Sequence, residues 1–575
     1  MLKLFKYLRP YGWNVVWVLL FLFAQALAEL YLPTLMSDVV NNGMMKGDTG
    51  YIWRYGSYML LVALGSGLCA IIGSFLSSIT ALGVGRDLRN TVFARVESYS
   101  LNEFDRIGAA SLITRTTNDI IQVQTLFVMG MRFLIFAPIM CIGGIVMAMT
   151  KDGTLTWILA VVLPVMLTLI GVLAALIVPL FKLMQTKLDT VNRVLRENLI
   201  GIRVIRAFDR LRSENERFRD ANQDLTDTSI QVNKIMGVIQ PFMLLMMNAT
   251  TIAIIWFGGV RIAQNNLQIG DMMAFLQYAM QIMFSIIMVT IMFVMIPRAE
   301  ASAVRINEVL ELEPEIVDPA QPAKMEGQTG YVEFRNVTFS YAGAAEPAIH
   351  KISFAAAPGE VTAIIGGTGS GKSTLINLIP RFYEIDSGAV LVDDKDVRTI
   401  TQQDLRARIG FVPQTPILFS GTIAENIRYG KDNASDAEVA YAAEIAQATE
   451  FITAMSDGFN APVAQGGTNF SGGQKQRLSI ARALVRKPEI YIFDDSFSAL
   501  DFKTDARLRT ALKKETAAST VILIAQRVST VMNADRIIVL DDGEIVGMGT
   551  HKKLMGDCQV YREIVSSQLS EEELA

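Results

Sequence analysis

Cysteine and histidine are nearly missing from this sequence. Its 575 residues include three cysteines, Cys69, Cys141 and Cys558, and two histidines, His350 and His551. None stands at a paired spacing, which excludes a disulfide framework or a zinc site as an organising principle. Basic charge is not in excess either. The formal net charge is -4 and no basic stripe or tail is present, which excludes nucleic acid as the expected partner. Charge of either sign is absent from several long runs, and no small-residue cleavage site follows the basic start at Lys3, Lys6 and Arg9. The first apolar run therefore reads as a retained membrane span, entered from a short amphipathic helix over residues 1–10.

Apolar residues make up 51% of the chain, and their long runs lie before residue 300. Uncharged stretches fall at 10–28, 55–85, 133–150, 153–181, 235–260 and 272–297, each near or above the about 20 residues that cross a hydrocarbon layer. Six crossings put both termini on one side. The connections after the first, third and fifth spans are short and hold Lys46, Arg54, Lys151 and Arg261. The other two, 86–132 and 182–234, are long and rich in arginine, as at Arg86, Arg89, Arg95, Arg193, Arg196, Arg203 and Arg206. The positive-inside rule makes these arms and both termini cytoplasmic, in a bacterial-type cytoplasmic membrane. Val191, Val194, Leu195, Leu199 and Ile202 recur at helical steps, so the spans are expected to continue as helices beyond the bilayer. Their tips are expected at Ala109–Thr117 and Ala207–Arg217, where Gly, Ser, Asp and Thr break the pattern. A solvated surface near anionic lipid accounts for the arginines one by one; their arrangement as a whole suggests contact with a cytoplasmic domain.

Polar residues inside the spans are few. Gln25, Glu29, Asn248, Gln277 and Gln281 are candidates for lining a substrate cavity. An acid at membrane depth is costly, so Glu29 is expected to face a bundle interior or water; for the amides, helix–helix hydrogen bonding is an equal alternative. Met243, Met246, Met247, Met280, Met283 and Met288 crowd the last two spans. Methionine suits promiscuous binding of an amphipathic, hydrophobic small molecule, and contact with lipid explains many of these side chains equally well. Leu312–Gly330, with Pro314, Pro319 and Pro322, reads as a linker between a membrane domain over 11–311 and a soluble domain over 331–575.

The soluble part opens on chemistry. Gly366-Gly367-Thr368-Gly369-Ser370-Gly371-Lys372-Ser373, continued by Thr374, follows the strand-like Val361–Ile365 and precedes an apolar helix, the context that a phosphate-binding loop requires. The glycines let backbone N–H groups close around phosphates, Lys372 reaches the outer phosphates and Ser373 offers a hydroxyl to Mg2+. The ligand class is therefore a nucleoside triphosphate with Mg2+. The apolar strand at 490–493 delivers Asp494 to the metal as the second acidic element.

Further motifs resemble one family. Phe470-Ser471-Gly472-Gly473-Gln474 is similar to the signature of ATP-binding cassette proteins, and Phe411-Val412-Pro413-Gln414 to their glutamine loop. Ser498-Ala499-Leu500-Asp501 resembles the loop that pairs across their dimer interface, and Tyr341 fits the aromatic that stacks on adenine. With six spans ahead of the cassette, the resemblance covers nearly the whole chain. It implies a membrane all-α six-helix domain of the type I exporter (type IV ABC) fold, followed by an α/β P-loop nucleotide-binding domain. It also implies two cassettes meeting head to tail, with each ATP between the P-loop of one and Ser471, Gly473 and Gln474 of the other. By the same resemblance the nucleotide is ATP, and Gln414 joins Ser373 and Asp494 at the metal.

Two positions depart from that family. Asp495 and Gln526 stand where a hydrolysing cassette has Glu and His. The Asp carboxylate falls short by about 1 Å, a misplacement able to cost roughly a hundredfold in rate, and a Gln amide does not ionise near neutral pH as His does. Both changes weaken water activation and leave the binding groups in place. The expectation is a half-transporter that retains ATP at a degenerate site and lends its signature to a second, different half-transporter in a heterodimer. A homodimeric exporter with slow Asp-based hydrolysis, and an ATP-sensing membrane regulator that transports nothing, stay open beside it.

Overall fold

The computed structural model describes residues 1–325 and 329–568, apart from the side chains of Leu2, Ala174, Ile291, Phe293 and Val294. Three residues of the expected linker, 326–328, and the last seven of the expected soluble domain thus lie outside the described residues. By contacts the chain divides into two compact units. One is Met1–Arg95 with Ala110–Glu311; the other is Val96–Ala109 with the chain from Leu312 on.

The first unit is helical. A short helical segment, Leu2–Tyr11, leads into α1 (Gly12–Asp38), followed by α2 (Thr49–Glu97), α3 (Leu101–Ile107), α4 (Ala109–Thr114), α5 (Ile120–Lys151), α6 (Thr156–Ile200), α7 (Ile202–Ala207), α8 (Leu211–Ala263) and α9 (Ile269–Glu311); α3 belongs to the second unit. Among the described residues six helical runs, beginning with Lys3–Met44 and ending with Ile269–Glu311, are long and apolar enough to cross a membrane. The 53 residues of α8 reach about 80 Å at 1.5 Å per residue, well beyond a hydrocarbon layer of about 30 Å. The excess length forms the helical arms. Near the ends of the third and fifth spans, charges are paired internally. Lys151 donates to Asp271 at 2.8 Å, Ser37 donates to the same carboxylate at 2.7 Å, and Arg261 donates to Asp152 at 2.6 Å. Helices α1 and α5 are thereby tied to α9, and α5 to α8, near their ends, each carboxylate meeting a cation.

The arm tips differ from expectation. The first arm turns at residues 98–108, ahead of Ala109–Thr117. Ser100 and Glu103 form a reciprocal capping box that starts α3, and Gly108 ends it at φ 81°, a left-handed conformation open to glycine. The residues expected to break the helix are absorbed into it. The hydroxyls of Thr114, Thr116 and Thr117 donate to the carbonyls of Ala110, Leu112 and Ile113 at 3.0, 2.8 and 2.7 Å, which lets a polar residue sit inside a helix. The second arm turns at Gly201–Arg210, with Asp209 at φ 51°. Residues from Leu211 to Arg217 already belong to α8.

Among the described residues the second unit holds twelve strands: β1 (Val332–Phe339), β2 (Ile349–Ala356), β3 (Val361–Gly366), β4 (Ser387–Val392), β5 (Lys395–Asp396), β6 (Ile409–Val412), β7 (Gly421–Thr422), β8 (Pro462–Val463), β9 (Ile490–Asp494), β10 (Thr520–Ile524), β11 (Arg536–Asp541) and β12 (Glu544–Gly549). The main sheet has the order β12-β11-β3-β10-β9-β6, and a second sheet runs β2-β1-β4-β5. Strands β9 and β10 are buried along their whole length, as parallel strands covered on both faces must be. Helix α3 is held to this unit by its cap: Glu103 accepts from the backbone N–H of Glu315 at 3.2 Å, and Asn102 donates to the Glu315 carboxylate at 3.0 Å.

Candidate nucleotide site

The parallel register explains why remote motifs meet. Ile524 of β10 pairs with Ile364 of β3 on one side and Asp494 of β9 on the other, and Val412 of β6 pairs with Phe493 of β9. The segments leaving the carboxyl ends of β3, β10, β9 and β6 therefore emerge along one edge, where open α/β sheets bind ligands. These segments carry the P-loop, Gln526, Asp495 and Gln414.

In the P-loop, Gly369 and Gly371 adopt φ 85° and 92°. At Gly371 a side chain would also come within 2.7 Å of the Ala348 carbonyl, so conformation and space both demand glycine there. Lys372 opens the helix α10 (Lys372–Leu378) and turns back on its own loop, donating to the carbonyls of Gly366 and Gly367 at 3.0 and 2.5 Å. Burial lowers the pKa of the Lys372 ammonium, against the attraction of Asp494 and Asp495. Burial likewise raises that of the Asp494 carboxyl, against a hydrogen bond from Ser373. An ammonium and a carboxylate both disfavoured by burial are the groups that gain most from a ligand bringing phosphate charge and a cation.

Ser373 donates to Asp494 at 3.1 Å. This hydroxyl and carboxylate are hard oxygen donors of the kind that suits Mg2+. Asp495 is buried, with its backbone at φ 44°. Its Oδ2 accepts from Gln526 Nε2 at 2.9 Å, and Gln414 Nε2 approaches the same oxygen at 3.5 Å. Tyr341 bonds Thr374 through its hydroxyl at 2.9 Å and meets Tyr383 edge-on at 5.4 Å, so its ring stands beside the start of α10.

Other candidates lie apart from this cluster. Ser471 caps the helix Gly472–Val485 in a capping box with Gln474, and no hydrogen bond joins these residues to the P-loop among the described residues. Gly473 lies against the Ala499 carbonyl, where an added Cβ would come to 3.1 Å. Asp501 caps the helix Phe502–Glu515, and the Thr504 N–H that it accepts holds its carboxyl below the usual range. In the membrane unit, Gln25, Glu29 and Gln281 come together, whereas Asn248 and Gln277 are exposed and join none of them.

One residue escaped the sequence reading. Gln568 donates to the Gln526 carbonyl at 2.7 Å and accepts from the Val528 N–H at 2.8 Å, bracketing the segment whose side chain holds Asp495. Nothing in its neighbourhood signals this role, because it simply follows the helix Gln559–Ser566.

Comparison with known proteins gives this geometry a family. Residues 15–286 match the ABC transporter transmembrane region and residues 349–498 the ABC transporter family. An uncharacterised ABC transporter ATP-binding protein of Mycobacterium tuberculosis is 43% identical over 98% of this chain and 97% of its own length. A fatty acid ABC transporter ATP-binding/permease protein of Mycobacterium bovis is 33% identical over 83% of this chain and 75% of its own. A bacterial Atm1-family ABC exporter solved with ATP bound superposes with a TM-score of 0.80 at 26% identity, covering 97% of this chain and 98% of that one. The likeness runs through membrane helices and soluble unit alike, and by it the chain belongs to the ABC transporters, as an exporter half-transporter with its transmembrane and ATP-binding domains in one polypeptide.

Proposed function

We propose that this chain is the ATP-retaining subunit of a heterodimeric exporter in a bacterial cytoplasmic membrane, moving amphipathic, hydrophobic compounds outward. The observation that carries the reading is the 2.9 Å hydrogen bond from Gln526 to Asp495. A neutral amide occupies the carboxylate that would otherwise orient water, and the Asp stem is one carbon shorter than Glu, so the pair stabilises a bound state better than a reacting one. Lys372, Ser373, Asp494 and the P-loop amides bind ATP; Gln414 with Ser373 and Asp494 holds Mg2+, whose charge offsets that of the phosphates. Ser471, Gly473 and Gln474 complete the hydrolysing site of a second, different half-transporter. The lipid bilayer surrounds the six spans, with both termini cytoplasmic. The fatty-acid relative supports an amphipathic cargo.

The test is enzymatic. The purified chain alone is expected to bind ATP with little turnover. In the mixed dimer, Ser471→Ala is expected to abolish turnover while Asp495→Ala barely lowers it. Fast ATP hydrolysis by the isolated chain would overturn the heterodimer reading and favour the homodimeric exporter.

A further inference from the structure

Across residues 10–37, 55–85, 133–150, 153–181, 235–260 and 272–297, Glu29 is the single residue bearing a full charge. It lies about 25 Å from the start of α1 and about 23 Å from the end of the same helical run at Met44, taking 1.5 Å per residue. That position is near the middle of a hydrocarbon layer, where an uncompensated charge is expensive and marks function.

The surroundings of the carboxylate are specific. Gln25 donates to Glu29 Oε1 at 2.8 Å, and Ser66 of α2 approaches the same oxygen at 3.5 Å. Gln281 of α9 donates to the Glu29 backbone carbonyl at 3.3 Å, while its own Oε1 is buried without a partner. Among the described residues no Lys, Arg or His pairs with Glu29, and its Oε2 accepts no hydrogen bond. Each glutamine directs one amide N–H at Glu29, Gln25 at the carboxylate and Gln281 at the backbone carbonyl. Two oxygens, Glu29 Oε2 and Gln281 Oε1, are left without a donor among the described residues, and the carboxylate oxygen is the one best answered by a donor bearing positive charge.

We propose that Glu29, with the Gln281 amide oxygen beside it, recognises a cationic N–H head group, an ammonium or guanidinium carried on an apolar body. This deepens the export reading and rests on it for its meaning as a transport site. It also separates this chain from a carrier of fatty-acid anions, because a carboxylate ligand would meet a like charge at mid-membrane.

The experiment compares three probes that share one fluorophore, titrated into the full-length chain in nanodiscs: dansylcadaverine (cationic), dansylpentylamide (neutral) and dansylundecanoate (anionic). Dansylcadaverine is expected to bind saturably, and Glu29→Gln to weaken it at least tenfold. The neutral probe should bind both proteins within twofold, and the anionic probe should bind Glu29→Gln more tightly than the wild type. No saturable cation binding to the wild type, or equal cation affinity in Glu29→Gln, overturns the proposal and leaves Glu29 a strut between helices. Should Glu29→Gln fail to fold, Gln281→Met removes the unspent acceptor and keeps the charge. A threefold or greater loss of cation affinity is then expected, and an unchanged affinity overturns the proposal. ATP-dependent uptake into inverted vesicles reports on the export reading separately: Glu29-dependent binding without uptake removes that reading alone, and uptake indifferent to Glu29→Gln removes this one alone.

Discussion

At the scale of residues, the proposed retention of ATP turns on one methylene and one amide. If the shortness of Asp495 and the inertness of Gln526 both limit hydrolysis, restoring one leaves the other limiting. Asp495→Glu with Gln526→His is therefore expected to raise phosphate release by the isolated chain more than tenfold, and either change alone to raise it less; steady-state assays check this, and a non-additive gain is the signature of groups acting together. The P-loop makes a different prediction. Gly371→Ala forces a side chain into a left-handed conformation beside the Ala348 carbonyl at 2.7 Å, so a loss of about 1–3 kcal/mol is expected in denaturant unfolding. These residues were legible from sequence because glycine, lysine and the acidic strand end act over a few neighbouring positions. The bond between Gln526 and Asp495 was not. It depends on β10 and β9 lying side by side in a given register, a relation that spans 31 residues of chain.

At the scale of elements, most of the site is assembled by strand ends and held by caps. Gln568 shows how a distant element can enforce this. Loss of its two hydrogen bonds at about 1 kcal/mol each should release the segment from Gln526 to Val528. Gln568→Ala is accordingly expected to speed amide exchange at Val528 by roughly thirtyfold, with the strands β3 and β9 unchanged; exchange equal to wild type would mean that the strand end alone holds the segment. The arms teach the same lesson in reverse. Residues 109–117 carry Thr and Ser that favour turns, yet threonines can return their hydroxyls to the helix, and the break falls instead where Ser100 and Glu103 cap α3. The Ser-x-x-Glu spacing that forms this cap is a local pattern, yet the expected turn did not rest on it. Ser100→Ala is expected to cost about 1 kcal/mol of local stability, read as faster exchange at Asn102.

At the scale of the whole molecule, orientation in the membrane is the property most open to a direct test. With Cys69, Cys141 and Cys558 replaced, single cysteines at Lys46 and Asn266, in the short connections, are expected to react with an impermeant maleimide in intact cells. A cysteine at Arg203, at the turn of the second arm, should react only in inverted vesicles. The reverse pattern would turn the protein over and with it the direction of transport. The six apolar stretches were readable because crossing hydrocarbon imposes length and lack of charge on consecutive residues.

The sequence by itself determined what consecutive residues can express: six spans, arginine-rich helical arms, a phosphate-binding loop and an acidic strand end. Each is a local pattern enforced by hydrogen bonding or by the exclusion of charge from hydrocarbon. Only the tertiary structure decided which distant groups meet. It set Gln526 on Asp495, Gln568 behind Gln526, and Ser66 and Gln281 around Glu29, while leaving Asn248 and Gln277 outside that cluster. Such meetings depend on sheet register and on the faces that helices turn toward one another, and no short run of sequence carries either.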